Sequence, residues 1–314
     1  MKKLASFIDD FLNDLIVSKN RSPKTKENYR HYLKRFLDFS GDIPPQKITL
    51  PLIQGYKLYL SGLKPELTHK TKNFHLIALR AFLKYLAKND IETLSAEKIE
   101  LAKVPERTVD FLEVEEIEAL FKAATRYPPP AISRSLKPLR DLAILKTLFS
   151  TGLRVSELCS LKKKQVNLER REFMVRGKGG KVRLVFLSEE AKEAIKNYLA
   201  KRTDNSEYLF VGLTSLSRTK LRGSPRIDIS REDKPLTPRS VERLVQFYAT
   251  KAGIVKKVTP HTLRHSLATD LLRNGADIRS VQALLGHSSI TTTQVYTHIT
   301  NQRLKEVHQR FHKR

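Results

Sequence analysis

His261-Thr-Leu-Arg264-His265-Ser-Leu-Ala-Thr-Asp-Leu-Leu-Arg-Asn-Gly275, continued through Asp277 to Leu285-Gly286-His287 and on to Tyr296, decides how this 314-residue chain is read. Leu267, Leu271 and Leu272 fall at i, i+4 and i+5, the spacing of an amphipathic helix, and Gly275 stands where a helix tolerates a left-handed residue. Asp277 can cap a second helix over Ile278 to Leu285, with Gly286 to close it. His261 and Arg264 then lie where one helix begins, and His287 lies just past the end of another. From such positions a polar side chain reaches into a cleft without being buried in a core. Tyr296 follows in the polar run Thr291-Thr-Thr-Gln-Val-Tyr296-Thr-His, the one large side chain there that could act as a nucleophile. One histidine at a helix end is ordinarily structural, and one tyrosine ordinarily packs in a core or an interface. Two histidines, an arginine and a tyrosine together in a basic chain shift the balance toward chemistry.

The chain is strongly basic. Lys and Arg number 59 against 33 Asp and Glu, a formal net charge of +26, so a polyanion is the natural partner and nucleic acid the first expectation. The length suits two domains, and with 40% hydrophobic and 29% charged residues each can bury a core. No apolar run is long enough to span a membrane. Met1-Lys-Lys opens like a signal peptide, but Asp9, Asp10 and Asp14 interrupt any apolar segment behind it. Cys159 is the single cysteine, which excludes an internal disulfide and a cysteine-based zinc site and suits a reducing cytoplasm. Beside Leu158 and Leu161 it reads as a small core residue.

From the start of the chain, Leu4, Phe7, Ile8, Phe11, Leu12 and Leu15 mark an amphipathic helix. Ser22-Pro23 begins a second, with Tyr29, Tyr32, Leu33, Phe36 and Leu37 on its apolar face and Gly41 at its end. A third follows Thr49-Leu-Pro51 and ends near Gly62. A fourth runs from about Thr68 to Lys88, Leu76, Leu79, Leu83 and Leu86 inward, Lys70, Lys72, Arg80 and Lys84 outward. Residues 1–103 thus form a helical domain with a basic outer face, 104–110 a linker, and 111–314 a second domain. The latter opens with helices over Glu113 to Ala124 and Pro138 to Ser150. Gly152 ends the second of these and Arg154 or Ser156 opens the next, within Thr151-Gly152-Leu-Arg154-Val-Ser-Glu157-Leu. Glu172 to Leu187 reads as a β-hairpin whose turn, Gly177-Lys178-Gly179-Gly180, exposes Lys178. Ser188 to Leu199 is a capped helix, Tyr208-Leu-Phe210 a short buried piece, 212–236 a long basic loop, and Thr237 caps a helix through Ala252.

Taken together these residues resemble the signature of the tyrosine site-specific recombinases, the phage-integrase family, and among them the Xer-type chromosome-dimer recombinases. The matching features are Thr-Gly-Leu-Arg154-x-x-Glu-Leu, a hairpin lysine 24 residues on (178 − 154), His261-x-x-Arg264, Leu-Gly-His287, and a tyrosine nine residues later (296 − 287). The resemblance covers nearly the whole chain and is strongest from residue 140 to the end. It implies a mainly α fold: a helical SAM-like amino-terminal core-binding domain, then a mixed α+β catalytic domain with a small antiparallel hairpin. Arg154, Lys178, His261, Arg264, His287 and Tyr296 fill the six active-site positions. Two guanidinium groups would grip the scissile phosphate without a metal or other cofactor. Tyr296 would attack the phosphorus to give a 3′-phosphotyrosyl link and a 5′-hydroxyl. His261 resembles the candidate base, Lys178 the acid, and His287 a hydrogen-bond donor to the phosphate. Tyr208 and Tyr248 stand as other candidate nucleophiles.

The implied partners are duplex DNA recombination sites, held by a homotetramer or by a heterotetramer with a second recombinase, and a septal DNA translocase. The two domains would sit on opposite faces of the duplex, and the segment 301–314, with Leu304, Val307 and Phe311 in a stripe, would pass to a neighbouring subunit. An integrase or transposase-type recombinase of a mobile element shares the chemistry. A type IB topoisomerase and a non-catalytic DNA-binding protein fit the helical amino-terminal domain and the intact constellation less well. A histidine metalloenzyme is set aside because no glutamate stands between His261 and His265.

Overall fold

The computed structural model describes residues 3–104, 110–127, 136–177, 180–212 and 235–286. Lys178, His287 and Tyr296 lie outside the described residues, as do most of the 212–236 loop, the greater part of the 104–110 linker and the 301–314 tail. The chain divides into two compact units, Met1–Arg107 and Thr108–Arg314.

The first unit is helical: α1 (Leu4–Val17), α2 (Pro23–Ser40), α3 (Leu50–Gly62) and α4 (His69–Lys88). Ser22, Thr49 and Thr68 cap α2, α3 and α4 by accepting from the backbone N–H three residues on, which satisfies donors that the first turn leaves unpaired. Leu4, Phe11, Leu33, Phe36, Ile53, Tyr56, Leu79, Phe82 and Leu86 close into one core. The stretch beyond α4 has no helical periodicity yet belongs to this unit. Ala96 and Ile99 are buried in its core, and Asn73 clamps Ala102 through Nδ2 to the carbonyl at 2.8 Å and Oδ1 from the amide at 3.1 Å. Lys72 and Arg80 are half-buried rather than outward, because α4 packs against α1, α2 and α3 and so covers more than one of its faces.

The second unit carries α5 (Val114–Arg126), α6 (Lys137–Thr151), α7 (Val155–Ser160), strands β1 (Glu172–Arg176) and β2 (Val182–Phe186), then α8 (Glu189–Leu199), α9 (Pro238–Lys251), α10 (Pro260–Arg273) and α11 (Ile278–Leu285). The strands pair antiparallel with Met174 opposite Leu184. Phe173, Val175 and Val185 turn inward onto the helices, while Met174, Val182, Leu184 and Phe186 face out. Cys159 sits in this core as a free thiol, and burial pushes it up to about 11. Among the described residues no helix is long and apolar enough to cross a membrane. Among the described residues the architecture is mainly α with one small antiparallel hairpin.

α10 is longer than its apolar spacing alone predicts. It begins at Pro260 behind Thr259, whose Oγ1 accepts from the Thr262 amide at 3.2 Å, and it ends at Asn274, with Gly275 beyond at φ 104°. α11 follows the pattern closely: Asp277 accepts from the amides of Arg279 and Ser280, and Gly286 closes the helix at φ 64°.

Candidate active site

Gly152 terminates α6 at φ 59°, a conformation that costs any side chain, and a methyl group placed there would lie 2.6 Å from a Leu285 methyl. The glycine therefore lets the end of α6 press against the end of α11. Two residues on, Arg154 is the cap of α7, deciding between the two openings that the sequence leaves for that helix. Its backbone amide donates to Glu157 Oε2 at 2.8 Å and its Nη1 to Glu157 Oε1 at 2.9 Å. Its Nη2 reaches across to the Gly286 carbonyl at 3.1 Å.

Arg264 meets the same place from α10. Its Nη1 donates to the Gly152 carbonyl and its Nη2 to the Leu285 carbonyl. The sequence reading sets Arg264 at a helix start, clear of the core. Because α10 begins at Pro260, the residue instead lies in its second turn and is 3% exposed. Arg264 can be buried there because a buried guanidinium must be matched by acceptors, and the two helix-end carbonyls supply them. His261, in the first turn of the same helix, is exposed. Arg154 and Arg264 thus converge on the Gly152 and Leu285–Gly286 backbones, and His261 shares a helix with the second of them.

Two of the groups outside the described residues, Lys178 and His287, directly follow residues within them. Gly177 directly precedes Lys178; a methyl group on it would lie 3.3 Å from Arg183 Nη1, 3.4 Å from Glu157 Oε1 and 3.5 Å from Arg154 Nη1. Gly286 directly precedes His287, and a methyl group there would lie 2.9 Å from Arg183 Cδ. The lead-ins to both residues therefore lie against the cluster that holds Arg154.

Two members of that cluster, Glu157 and Arg183, are given no role by the sequence alone. Glu157 accepts from Arg183 through Nη1 at 2.9 Å and Nη2 at 2.8 Å, a two-pronged pair added to its bonds with Arg154. Burial alone would push the Glu157 carboxyl up, but Arg183, the Arg154 amide and the Arg154 guanidinium together hold it at about 2. Glu157 is visible in the sequence as part of Thr-Gly-Leu-Arg-x-x-Glu-Leu. Arg183 has no such signal, since a lone arginine in the run Val-Arg-Leu-Val-Phe belongs to no motif and its partners lie elsewhere in the chain. Of the other candidate nucleophiles, Tyr248 is 1% exposed and bonded to Asp141 Oδ2 at 3.0 Å, and burial together with that carboxylate pushes its phenol up. Tyr208 is half-buried. Among the described residues, no cluster of three or more His, Cys, Asp or Glu is placed to hold a metal ion.

Residues 110–303 match the model of the phage integrase family, and residues 8–90 that of the phage integrase N-terminal SAM-like domain. The chain is similar to tyrosine recombinase XerC of Thermodesulfovibrio yellowstonii, 35% identical over 98% of this chain and 96% of that one. It is similar also to tyrosine recombinase XerD of Listeria innocua, 34% identical over 98% of each. Among solved structures it resembles the XerH site-specific recombinase bound to a palindromic difH substrate, with a TM-score of 0.66 over 94% of this chain and 82% of that one. At 23% identity, that likeness speaks for the fold.

Proposed function

Because this chain belongs to the phage integrase family, the tyrosine recombinases, and is an enzyme of site-specific DNA recombination, we propose that Arg154, Lys178, His261, Arg264, His287 and Tyr296 form its active site. The observation that carries the assignment is the convergence of Arg154 and Arg264 on one pair of helix ends, with the residues preceding Lys178 and His287 packed against it. Cleavage concentrates negative charge on the non-bridging phosphate oxygens, and fixed guanidinium groups stabilise that charge without reorganising. The Tyr296 oxygen attacks phosphorus, the bond from phosphorus to the 5′ oxygen breaks, and that oxygen leaves as a hydroxyl. A phenol of pKa about 10 needs a base, which is the role of His261, and Lys178 supplies the proton to the leaving oxygen. The phosphotyrosyl bond conserves the energy of the phosphodiester, so a 5′-hydroxyl from another strand reseals it by the reverse steps without ATP.

The reading extends to the cellular role: resolution of chromosome dimers in the cytoplasm, by a tetramer of this chain alone or with a second recombinase on two DNA sites, under the control of a septal translocase. Residues 104–110 are the linker between a core-binding domain, 1–103, and the catalytic domain, 111–314. Sequencing the DNA recovered covalently attached to the protein identifies the site, and a single chromosomal locus outside any mobile element is the expected result. A locus at the ends of a mobile element would make it an element integrase instead. The chemistry is tested by Tyr296→Phe on a nicked duplex carrying that site. The variant is expected to bind as the wild type does and to form no covalent adduct, whereas the wild type forms one in the presence of EDTA as in its absence. An adduct with the Phe variant would move the nucleophile to another residue.

A further inference from the structure

Arg183 stands on β2 with its side chain about nine-tenths buried, and it lies against Glu157 and against the glycines that directly precede Lys178 and His287. Its two Nη groups take both oxygens of Glu157, the carboxylate that also holds the Arg154 amide and guanidinium. The Gly177 backbone lies over its Nη1, and the Gly286 backbone lies over its Cδ and Nε, so closely that neither glycine has comfortable room for a methyl group. Among the described residues its Nε has no hydrogen-bond partner, and that atom faces the Gly286 turn. No solvated arginine needs this arrangement. A charge brought so far out of water requires a paired acceptor, and the pairing fixes the planar fork in one orientation.

We propose that Arg183 is a positioning residue for strand cleavage. It sets the Arg154 guanidinium through the shared Glu157 carboxylate, and it forms the floor on which the segments entering Lys178 and His287 rest. This rests on the reading of Arg154, Lys178 and His287 as catalytic. Arg183 itself does not touch DNA in this scheme; it acts by holding others. A displacement of reacting groups on the order of 1 Å costs about 100-fold in rate, so losing the floor should appear in the chemical step and not in binding.

The test is single-turnover formation of the covalent adduct on a nicked, labelled duplex carrying the site recovered from the wild-type protein. Band-shift affinity for the same duplex and thermal melting are measured alongside. Arg183→Met is expected to cleave at least about tenfold more slowly, with affinity within about threefold of the wild type. Glu157→Gln is expected to be slow as well. In the double variant, where no buried carboxylate is left unpaired, the combined loss should fall short of the product of the two, because part of the Arg183 effect passes through Glu157 to Arg154. Arg183→Lys keeps the charge but not the fork, and is expected to restore cleavage only in part. Wild-type cleavage by Arg183→Met, or losses that multiply in the double variant, overturns the proposal. If Arg183→Met does not fold, Arg183→Lys decides alone: slowed cleavage at unchanged affinity supports the role, and wild-type cleavage ends it. Arg154→Lys is the control. Wild-type cleavage by that variant would sink the underlying assignment of the site, whatever Arg183 does.

Discussion

At the scale of single residues, the site is built on positions where only one side chain, or none, is tolerated. Gly152 combines a left-handed backbone with a contact that leaves no space for a methyl group, 2.6 Å from Leu285 and 3.0 Å from Leu267. Gly152→Ala should therefore cost about 3 kcal/mol, backbone strain and overpacking together. Gly253→Ala, at φ 75° with open space around it, should cost only about 1 kcal/mol. Urea denaturation of the two variants checks this, and equal losses would mean that packing between the ends of α6 and α11 contributes nothing. In the first unit, burial and then the Arg35 charge lower His75 to about 4. Arg35 can only donate, so Nε2 accepts from it at 3.4 Å and Nδ1 is left to bond the Tyr56 hydroxyl at 3.2 Å. Protonation would destroy that arrangement. The folded titration lies below the unfolded one, near 6.5. This contribution is therefore whole above pH 6.5 and is lost as pH falls toward 4, on the order of 3 kcal/mol in all. NMR should find His75 neutral at pH 5.5; an imidazole titrating near 6.5 would contradict the assignment.

At the scale of elements, most of what carries the site is written in the sequence and the remainder is not, for physical reasons. Caps and periodicity announce α2, α3, α4, α8, α9 and α11, because Ser22, Thr49, Thr68, Ser188, Thr237 and Asp277 each satisfy local backbone donors, a short-range requirement. The start of α10 is hidden because His261, Thr262, Arg264 and His265 interrupt the apolar pattern on the very turns that face the site. Its true signal is Thr259-Pro260, a cap followed by a proline in the first turn. The burial of Arg264 and the role of Arg183 depend on carbonyls and a carboxylate brought from distant parts of the chain, which no local pattern encodes. α10 is also tied at its far side: Ser266 Oγ accepts from the Leu112 amide at 2.8 Å, and Arg273 pairs with Glu113. Thr259→Ala should cost about 1 kcal/mol, whereas Thr259→Ser should be close to neutral. Since Arg264 rides on this helix, cleavage should slow in the alanine variant more than binding weakens. Loss of stability with an unchanged cleavage rate would show that the far-side ties hold the helix without its cap.

At the scale of the whole molecule, the governing quantity is charge. A net +26 on 314 residues repels itself unless counterions or phosphates screen it. Each unit has its own hydrophobic core. Basic side chains on the first unit, Lys70 and Lys88 among those exposed on α4, are then available for phosphate contacts in addition to those of the catalytic unit. Every phosphate contact displaces condensed counterions, and the logarithm of the binding constant falls against the logarithm of salt by about 0.9 per contact. The full chain should therefore show a steeper salt dependence than a Thr108–Arg314 fragment, and tighter binding at low salt. The two should converge as salt rises, because the additional contacts of the first unit are the ones screened away. Filter binding of both proteins to one duplex, across a salt series and with circular dichroism to show that the fragment is folded, makes the comparison. A folded fragment matching the whole chain in both slope and affinity would mean that the amino-terminal cations face solvent alone, and that recognition of the duplex belongs to the catalytic unit.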